Sequence, residues 1–404
     1  MCRRIGESTA QHNCGLRIPD CEFKSEIRDP KFEIKFWCHM APVDEKIKVM
    51  IACGGTGGHL FPGIAIAEAM VSLKPSTSIV FAGTNRGLEG SLIPQKGWPL
   101  LSVGSMSIKD RKGLGRIVAY ARLPFSILEA MRVIKRERPQ MLIGIGGYAA
   151  GPLTLAAALM KIPTAIVEPN AIAGFANRML GRFVSRVYTG FPEAAEFFPK
   201  KKVLLTGNPV REEIVAIKRN NSVTHDAMTI FCFGGSQGAL ALNRALIAAL
   251  PHLAGSQEKL RFIHQVGEHE NIEAVRRAYA DNGFEAKVFA FTDRIWEFYE
   301  RADLIICRAG AITVAELSVI GLPAIFVPYP YAADDHQRAN AESLVRREAA
   351  EMVLQQDLSG ERLASEIKKM TKERLTTMAA ASNRAGRPDA AKKIVEDCLR
   401  LIGK

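Results

Sequence analysis

Short apolar runs alternate with longer helical patterns along most of the chain. The first half contains such runs at residues 48–53, 78–82, 141–145, 164–167 and 184–188, and the second half at 229–233, 261–266, 287–291, 304–307 and 324–327. Short, nearly continuous apolar runs are typical of parallel strands that helices cover on both faces. The pattern therefore predicts an α/β protein built on parallel sheets.

The same local unit begins both halves. The run at 48–53 precedes a glycine loop at 54–58 and a helix with Pro62 in its first turn. The run at 229–233 precedes a second glycine loop at 234–238 and a helical pattern over 239–250. A strand, a glycine loop and a helix begin a doubly wound α/β domain. Two copies predict two Rossmann-like domains.

Turn chemistry after Gly207 and the polar stretch that follows predict a linker. The expected domains are therefore residues 47–212 and 227–385, with the linker at 213–226. A last helical pattern within 386–404 could close on either domain, including back on the first. Residues 1–46 carry mixed charge without the apolar core of a signal peptide, so we expect a poorly ordered extension, with Met40 as an alternative start.

Composition narrows the class of protein. The 404 residues are 48% hydrophobic and 24% charged, which is ordinary for folded domains and argues against disorder or a multi-span membrane protein. Residues 141–160 lack charge over a length that would suit a membrane span, but their glycines and Pro152 predict a strand, a turn and a helix. The eight cysteines form no C-x-x-C pair and are expected to be reduced thiols.

The formal net charge of +12 predicts an anionic partner. The sequence lacks zinc-finger spacing, RNP-like aromatic runs and long Lys/Arg tracts, so nucleic acid is not expected. Residues 104–138 combine basic and apolar side chains, which predicts binding to an anionic lipid surface. A basic helix packed on the sheet would give the same pattern. The residues concerned are Lys109, Arg111, Lys112, Arg116, Arg122, Arg132, Lys135, Arg136 and Arg138, interleaved with Leu114, Ile117, Leu123, Phe125 and Ile127.

The glycine loops favour a phosphate-bearing ligand, because backbone N–H groups and a helix N-terminus can approach it closely. Glycines needed only for strand-helix packing are the alternative. Neither loop matches the dinucleotide fingerprint or the P-loop motif, so NAD(P) oxidoreductases and P-loop NTPases are disfavoured. A third loop, at 307–310, precedes a helix that carries Glu316. A carboxylate there could bind ribose hydroxyls, although a helical Glu is usually solvated.

Seven motifs together resemble the MurG family of UDP-N-acetylglucosamine:N-acetylmuramyl-(pentapeptide) pyrophosphoryl-undecaprenol N-acetylglucosaminyltransferases. The resemblance begins near residue 47 and runs to the C-terminus. The motifs are Gly54-Gly-Thr-Gly-Gly-His59, Gly146-Gly-Tyr-Ala-Ala-Gly-Pro152, Glu168-Pro-Asn170, Gly207-Asn-Pro-Val-Arg211, Gly234-Gly-Ser-Gln-Gly238, Arg308-Ala-Gly-Ala-Ile-Thr-Val-Ala-Glu316 and His336-Gln337. The resemblance implies a GT-B fold, in which two Rossmann-like domains face each other across a cleft. It also implies transfer of N-acetylglucosamine from UDP-N-acetylglucosamine to lipid I, giving lipid II for peptidoglycan synthesis.

The resemblance also assigns binding residues. Ser236 and the turn formed by Ala311, Ile312, Thr313, Val314 and Ala315 are expected at the diphosphate. Glu316 is expected at the ribose, Gln337 at the sugar hydroxyls and Thr292 at uracil. The donor sugar and the cleft are expected to be lined by Thr56, Gly57, Gly58, Asn170 and Arg211.

Inverting transfer needs a base for the acceptor hydroxyl and a group that stabilises the departing UDP. His59 is the candidate catalytic base, because imidazole titrates near working pH and the residue follows a glycine loop. A histidine that only orients the loop is the alternative. Asp334 and Asp335 are read as solvated residues, so no obligatory metal is expected, although Mg²⁺ stimulation is compatible with this assignment.

A lipid acceptor implies a peripheral protein on the cytoplasmic face of the plasma (inner) membrane, with cell-wall synthesis and division proteins as further partners. Two alternatives remain. Another GT-B enzyme, such as a diacylglycerol glycosyltransferase or a UDP-N-acetylglucosamine epimerase, would share the phosphate loops but lack the motifs at 146–152 and 168–170. A non-catalytic sugar-binding protein would close on its ligand without turnover.

Overall fold

The computed structural model describes residues 46–54, 57–84, 89–103, 114–147, 150–218, 227–235 and 238–403, and for 114–123 it describes the backbone alone. Ile47–Lys404 form one compact unit. Apart from Lys46, the extension predicted at 1–46 lies outside the described residues.

The first domain contains a parallel sheet covered by helices. Its strands are β1 (Lys48–Ala52), β2 (Ser78–Gly83), β3 (Leu100–Ser102), β4 (Met141–Gly144), β5 (Thr164–Glu168), β6 (Arg186–Thr189) and β7 (Val203–Leu205). Its helices are α1 (Gly57–Leu73), α2 (Glu89–Gln95), α3 (Leu114–Glu137), α4 (Ala150–Leu159) and α5 (Phe175–Leu180). Within the described residues the strand order is β3-β2-β1-β4-β5-β6-β7. Apolar residues on both faces of these strands explain why helices cover both faces.

The second domain repeats this arrangement. Its strands are β8 (Met228–Phe233), β9 (Leu260–Gln265), β10 (Glu285–Phe289), β11 (Leu304–Cys307), β12 (Ala324–Phe326) and β13 (Ala350–Met352). The helices from the linker onward are α6 (Glu212–Val215), α7 (Leu240–Ala249), α8 (Ile272–Asp281), α9 (Trp296–Tyr299), α10 (Ala311–Ile320), α11 (His336–Val345), α12 (Gly360–Lys368), α13 (Lys372–Ala385) and α14 (Ala390–Ile402). The described strands follow the order β10-β9-β8-β11-β12-β13.

Both sheets have the Rossmann strand order, so the predicted α/β fold with two doubly wound domains is confirmed. The strand order reverses beside β1 in the first sheet and beside β8 in the second. The two glycine loops follow these strands. Ligands bind at such reversal points in open α/β sheets, and the fold thus places both loops at ligand-binding positions.

Packing places the linker and the C-terminal helix with different domains. Ile214 on α6 and Ile217 after it belong to the core of the second domain; residues 219–226 of the expected linker lie outside the described residues. Helix α14 returns to the first domain, where Ile394 and Val395 pack into the core beside α1. The sequence left open which domain the C-terminal helix packs on, and the structure places it on the first domain.

The uncharged stretch at 141–160 contains β4 and the whole of α4, as the glycine punctuation predicts. None of the helices in the described part of the chain is both long and apolar enough to cross a membrane. The cysteines within the described residues, Cys53, Cys232, Cys307 and Cys398, are free and buried. These four match the expectation of reduced thiols.

Candidate active site

A cleft of about 650 Å³ lies between the two reversal points. Residues from both domains line it. Of the residues that the sequence singled out, the cleft brings together Gly57, Gly58, His59, Asn170, Arg211, Thr292, Ala311, Ile312, Thr313 and Glu316.

His59 lies on the first turn of α1, against the glycine pair that precedes α4. A Cβ atom on Gly146 would lie 2.5 Å from Cδ2 and 2.7 Å from Nε2 of the imidazole. Gly146 also has φ of +137°, which side chains strongly disfavour. The next residue, Gly147, has φ of +89° and lies against the carbonyl of Gly54. Both glycines are therefore needed for the two loops to approach each other.

Burial sets the charge of His59. It lowers the pKa of the imidazole below the usual 6.5; the Gly54 carbonyl partly offsets this, and the nearby His336 lowers the pKa further. Nδ1 is buried and makes no hydrogen bond that meets normal geometry with the described residues. A neutral imidazole can accept a proton, which is what a general base requires.

Glu316 lies on α10, and its side chain is buried rather than solvated as most helical glutamates are. Its Oε1 accepts a hydrogen bond from Nη2 of Arg211 at 3.0 Å, and its Oε2 accepts one from the Tyr299 hydroxyl at 3.2 Å. Burial raises the pKa of the carboxyl group, while Arg211 lowers it. Each carboxylate oxygen keeps a further lone pair with which it could bind hydroxyl groups in the cleft.

Arg211 joins the two domains through its guanidinium group. The guanidinium carbon lies 4.3 Å from the ring centroid of Phe61 on α1 and 5.3 Å from that of Trp296 on α9. Stacking on aromatic rings together with a carboxylate partner fixes the plane of an arginine head group. Nε of Arg211 is buried without a hydrogen-bond partner in the described residues, which leaves one donor for a ligand.

Asn170 is held from both sides of the cleft. Its backbone N–H and its Nδ2 donate to Oε1 of the buried Glu168 at 3.0 and 3.3 Å. Its Oδ1 accepts a hydrogen bond from Nδ2 of Asn340 at 3.2 Å. Asn340, on α11 of the second domain, also accepts from the backbone N–H of Ala171 at 2.8 Å. The orientation of the Asn170 amide thus depends on both domains.

A smaller pocket of about 150 Å³ opens in the first domain beside His59. Ala150 and Gly151 at the N-terminus of α4 line one side of this pocket, and Glu168 and Asn177 line another. The partial positive charge of a helix N-terminus suits an anionic group. Asn177 on α5 is fixed by a hydrogen bond of 2.9 Å to Oε2 of Glu168.

The other expected residues lie elsewhere. Val314 and Ala315 line a separate cavity with Asn208 and Arg347 and do not line the cleft. Oε1 of Gln337 accepts a hydrogen bond from the backbone N–H of Tyr329 at 3.0 Å. Thr56 and Ser236 lie outside the described residues.

The acidic pair Asp334 and Asp335 is exposed, and both residues have positive φ. In the described part of the chain, no group of three or more His, Cys, Asp or Glu residues could hold a metal ion.

Sequence reasoning missed four residues that shape the cleft: Phe61, Trp296, Tyr299 and Asn340. Each contacts a residue that is distant in sequence, as Asn340 does with Asn170, so the sequence does not display the contact. Phe61 alone could have been proposed from its sequence position, because it follows the first glycine loop and His59.

Two sequence families match the two domains. Residues 49–189 match the Glycosyltransferase family 28 N-terminal domain, and residues 229–394 match the Glycosyltransferase family 28 C-terminal domain. The UDP-N-acetylglucosamine--N-acetylmuramyl-(pentapeptide) pyrophosphoryl-undecaprenol N-acetylglucosamine transferase of Myxococcus xanthus (strain DK1622) is 44% identical over 358 residues, which is 88% of this chain and 93% of that protein. The chain belongs to the MurG family, within glycosyltransferase family 28.

Solved structures agree with membership of the MurG family. The crystal structure of Acinetobacter baumannii MurG is 33% identical and superposes with a TM-score of 0.73, covering 88% of this chain and 99% of that one. UDP-GlcNAc 2-epimerase from Neisseria meningitidis has a TM-score of 0.61 at 15% identity, covering 88% and 100%. The epimerase shares the fold alone. The predicted resemblance and the predicted GT-B architecture are both confirmed.

Proposed function

We propose that this chain transfers N-acetylglucosamine, with inversion, from UDP-N-acetylglucosamine to lipid I and so forms lipid II in peptidoglycan synthesis. Relatives at more than 40% identity over nearly the whole family region carry this activity in their names. The observation that carries the proposal is the meeting of His59 and Glu316 in one interdomain cleft. One domain supplies a neutral base, and the other supplies a carboxylate suited to ribose.

The second domain binds the donor in this proposal. The N-terminus of α10 directs backbone N–H groups to the diphosphate. Glu316 accepts hydrogen bonds from the ribose hydroxyls, and the backbone at Thr292 recognises uracil. Gln337 and Asn170 bind the sugar, with Gly57 and Gly58 on the opposite wall. Ser236 is assigned to the diphosphate and Thr56 to the sugar from the family motifs, because both lie outside the described residues. Arg211 offers its free Nε–H to the donor.

The first domain binds the acceptor and supplies the base. The pyrophosphate of lipid I lies at the N-terminus of α4, in the pocket beside His59. The acceptor hydroxyl oxygen attacks C1 of the donor sugar and the bond from C1 to the diphosphate oxygen breaks. The hydroxyl proton passes to the imidazole of His59. The negative charge that develops on UDP is stabilised by N–H groups at the N-terminus of α10.

We also propose that no protein-bound metal is obligatory, and that Mg²⁺ at most stimulates the reaction. The N–H groups of the glycine loop and of α10 can neutralise the leaving diphosphate. Full activity in excess chelator is the expected result. Loss of activity that Mg²⁺ restores would reject this part of the proposal.

The protein is proposed to act as a peripheral protein at the cytoplasmic face of the inner membrane, where it would meet cell-wall synthesis and division proteins. The exposed side chains of Phe125 and Leu128 support this, because they project from the part of α3 that also carries Arg132 and Lys135. Residues 104–113 of the predicted lipid-binding stretch lie outside the described residues. Binding to anionic vesicles at low salt is expected, and its absence would reject the interfacial role.

The decisive experiment combines radiolabelled UDP-N-acetylglucosamine with a lipid I analogue. Labelled lipid product that requires the acceptor is the expected result. A protein that leaves the lipid unlabelled would not be this transferase, and conversion of the donor sugar without any acceptor would indicate an epimerase instead. Direct binding of UDP, measured by calorimetry, serves as the control for a folded donor site.

A further inference from the structure

Helix α5 and the turn that follows it carry an apolar surface that the proposed function does not use. Phe175 is 70% exposed, Phe183 is 54% exposed and Met179 is 43% exposed. Phe175 and Met179 are four residues apart, so they lie on one face of the helix. These three residues are called the α5 surface below. Contiguous exposed apolar residues mark a binding surface more often than a free one.

The opposite side of α5 belongs to the acceptor pocket. Ala176, Asn177 and Leu180 line that pocket, and Asn177 is fixed to Glu168. One short helix therefore has one side at the acceptor pocket and the other side at the surface of the protein.

The α5 surface and the exposed apolar residues of α3 lie on opposite sides of α4. Residues of α3 and α4 pack together on one face of the first sheet, and Leu180 of α5 packs on the same face beside Leu155 of α4. Helix α4 thus lies between α3 and α5. The acceptor pocket at the N-terminus of α4 has exposed apolar residues on both sides, Phe125 and Leu128 on α3 and the α5 surface on α5.

Charge around the α5 surface favours an anionic lipid surface over a neutral partner. Lys202 donates a hydrogen bond from Nζ to the carbonyl of Arg182 at 2.7 Å, which brings the lysine run at 200–202 next to the end of α5. The guanidinium carbon of Arg178 lies 4.3 Å from the ring centroid of Phe197. Apart from the ion-paired Arg186 and Glu193, residues 175–202 contain Arg178, Arg182, Lys200, Lys201 and Lys202 against Glu196. Apolar side chains ringed by basic ones are typical of membrane-surface helices.

We propose that the α5 surface inserts into the anionic bilayer and forms a second membrane contact, on the side of the acceptor pocket opposite to α3. This inference rests on the proposed lipid acceptor. Contact on both sides of α4 orients the mouth of the acceptor pocket towards the bilayer. The polyprenyl chain of the acceptor can then stay in the lipid while its head group enters the pocket.

The test compares Phe175→Ser/Met179→Ser with Leu73→Ser. Leu73 is a matched control, because it is 43% exposed, like Met179, and lies on α1 at the other face of the sheet. Binding to vesicles of phosphatidylglycerol and phosphatidylcholine is measured by cosedimentation. We expect the α5 variant to bind at least about tenfold more weakly, since two large apolar side chains no longer leave water on binding. Leu73→Ser should bind like the wild type.

Insertion itself can be measured with a reporter. A Phe175→Trp protein should show fluorescence quenching by bromine-labelled lipid, and a Leu73→Trp protein should not. Wild-type vesicle binding by the α5 variant, or equal quenching of the two reporters, would overturn the proposal and leave the α5 surface to a protein partner.

Transfer assays separate this inference from the proposed function. The α5 variant should lose at least about tenfold in kcat/KM with a long-chain acceptor in vesicles, in line with its lost binding. It should keep wild-type kinetics with a short-chain, water-soluble acceptor. Equal losses with both acceptors would show a damaged acceptor pocket and overturn the membrane role. A wild-type enzyme inactive on both acceptors would reject the proposed function, while the vesicle measurements would still decide the α5 surface.

Discussion

The imidazole of His59 combines burial with a position in the cleft, and this predicts both a loss of turnover on mutation and a particular pH profile. His59→Ala should lower kcat by about 10²–10⁴-fold, the usual contribution of a general base, with UDP affinity unchanged. Because burial lowers the pKa of His59 below 6.5, the base form persists to lower pH than in a free histidine. The acidic limb of the kcat profile should therefore lie below pH 6.5.

Steady-state kinetics across pH, together with UDP calorimetry, check this prediction. His269→Ala is a suitable control, because His269 lies outside the residues that line the cleft. Near-normal turnover of His59→Ala with intact UDP binding would leave His59 only the role of orienting the loop.

Glu316 provides a second test at the scale of one residue. Glu316→Gln keeps the shape of the side chain but removes the charge that pairs with Arg211. Hydrogen bonds to charged groups contribute about 1.5–3 kcal/mol, so UDP should bind about 10- to 100-fold more weakly. The loss should shrink for a donor analogue that lacks the ribose hydroxyls, since that analogue has nothing to offer the carboxylate.

Wild type and Glu316→Gln are each titrated by calorimetry with UDP and with its analogue that lacks the ribose hydroxyls. The four dissociation constants form a complete thermodynamic cycle. A loss of the same size for the ribose and deoxyribose nucleotides would assign Glu316 to domain structure rather than to ribose binding.

Helix α14 packs on the first domain through apolar residues and through one buried carboxylate, that of Asp397. Asp397 accepts hydrogen bonds from Nε and Nη2 of Arg186 at 2.6 and 3.2 Å, and from the Tyr188 hydroxyl at 3.1 Å. Removal of the carboxylate leaves the partly buried Arg186 guanidinium without its ion-pair partner, while the Tyr188 hydroxyl keeps only Cys398. We expect Asp397→Ala to lower the free energy of unfolding by about 3 kcal/mol, measured by urea denaturation.

Asp389→Ala is the matched control, because Asp389 directly precedes α14 and its side chain makes no capping hydrogen bond there. Its pair with Lys393 is exposed, so this variant should change stability by less than about 0.5 kcal/mol. Equal stability of the two variants would show that the hydrogen bonds of Asp397 contribute little to the stability of the fold.

The sequence predicted the interior elements of both sheets better than the edges. Strands such as β1, β4 and β11 are apolar on both faces, and that pattern is visible in one dimension. The strands β3, β7 and β13 were missed, because each has only three residues and most of these are partly exposed. Strand β12 is equally short, but its residues are all buried, and its apolar run was predicted. Pairing with a neighbouring strand, which the sequence does not display, makes β3, β7 and β13 strands.

The sequence predicted those parts of the candidate site in which the local backbone conformation requires a particular residue type. Gly146 and Gly147 are visible in the sequence because only glycine adopts such conformations easily. The partners of Glu316 were not visible, since Arg211 and Tyr299 reach it from other parts of the chain. Family resemblance supplied the roles of these positions, and the fold then placed most of them in one cleft.

At the scale of the whole molecule, hydrogen bonds connect the two domains, and most of them are buried. Nδ2 of Asn208 donates to the carbonyl of Pro169 at 2.9 Å and to that of Ala311, in the second domain, at 3.4 Å. Asn340 contacts Asn170 and Ala171 in the first domain, and Arg346 pairs with Glu193. Because Asn170 lines the cleft, domain contact and site geometry depend on the same groups.

Asn340→Ala should therefore separate donor binding from turnover. The variant leaves Oδ1 of Asn170 and the Ala171 N–H without their partner. Misplacement of a substrate-contacting group by about 1 Å can cost about 100-fold in rate. We expect kcat to fall by at least about tenfold, while the Kd of UDP, which the second domain binds, stays within about twofold.

Arg338→Ala is the control on the same helix, since Arg338 is exposed and pairs only with Asp335 and Glu342 among the described residues. The double variant Asn340→Ala/Asn170→Ala tests the mechanism directly. If Asn340 acts through Asn170, the second substitution should add little to the first, because the two residues then form one unit. Fully additive losses would mean that Asn340 stabilises the domain contact alone, and the orientation of Asn170 would then be set by Glu168 within the first domain.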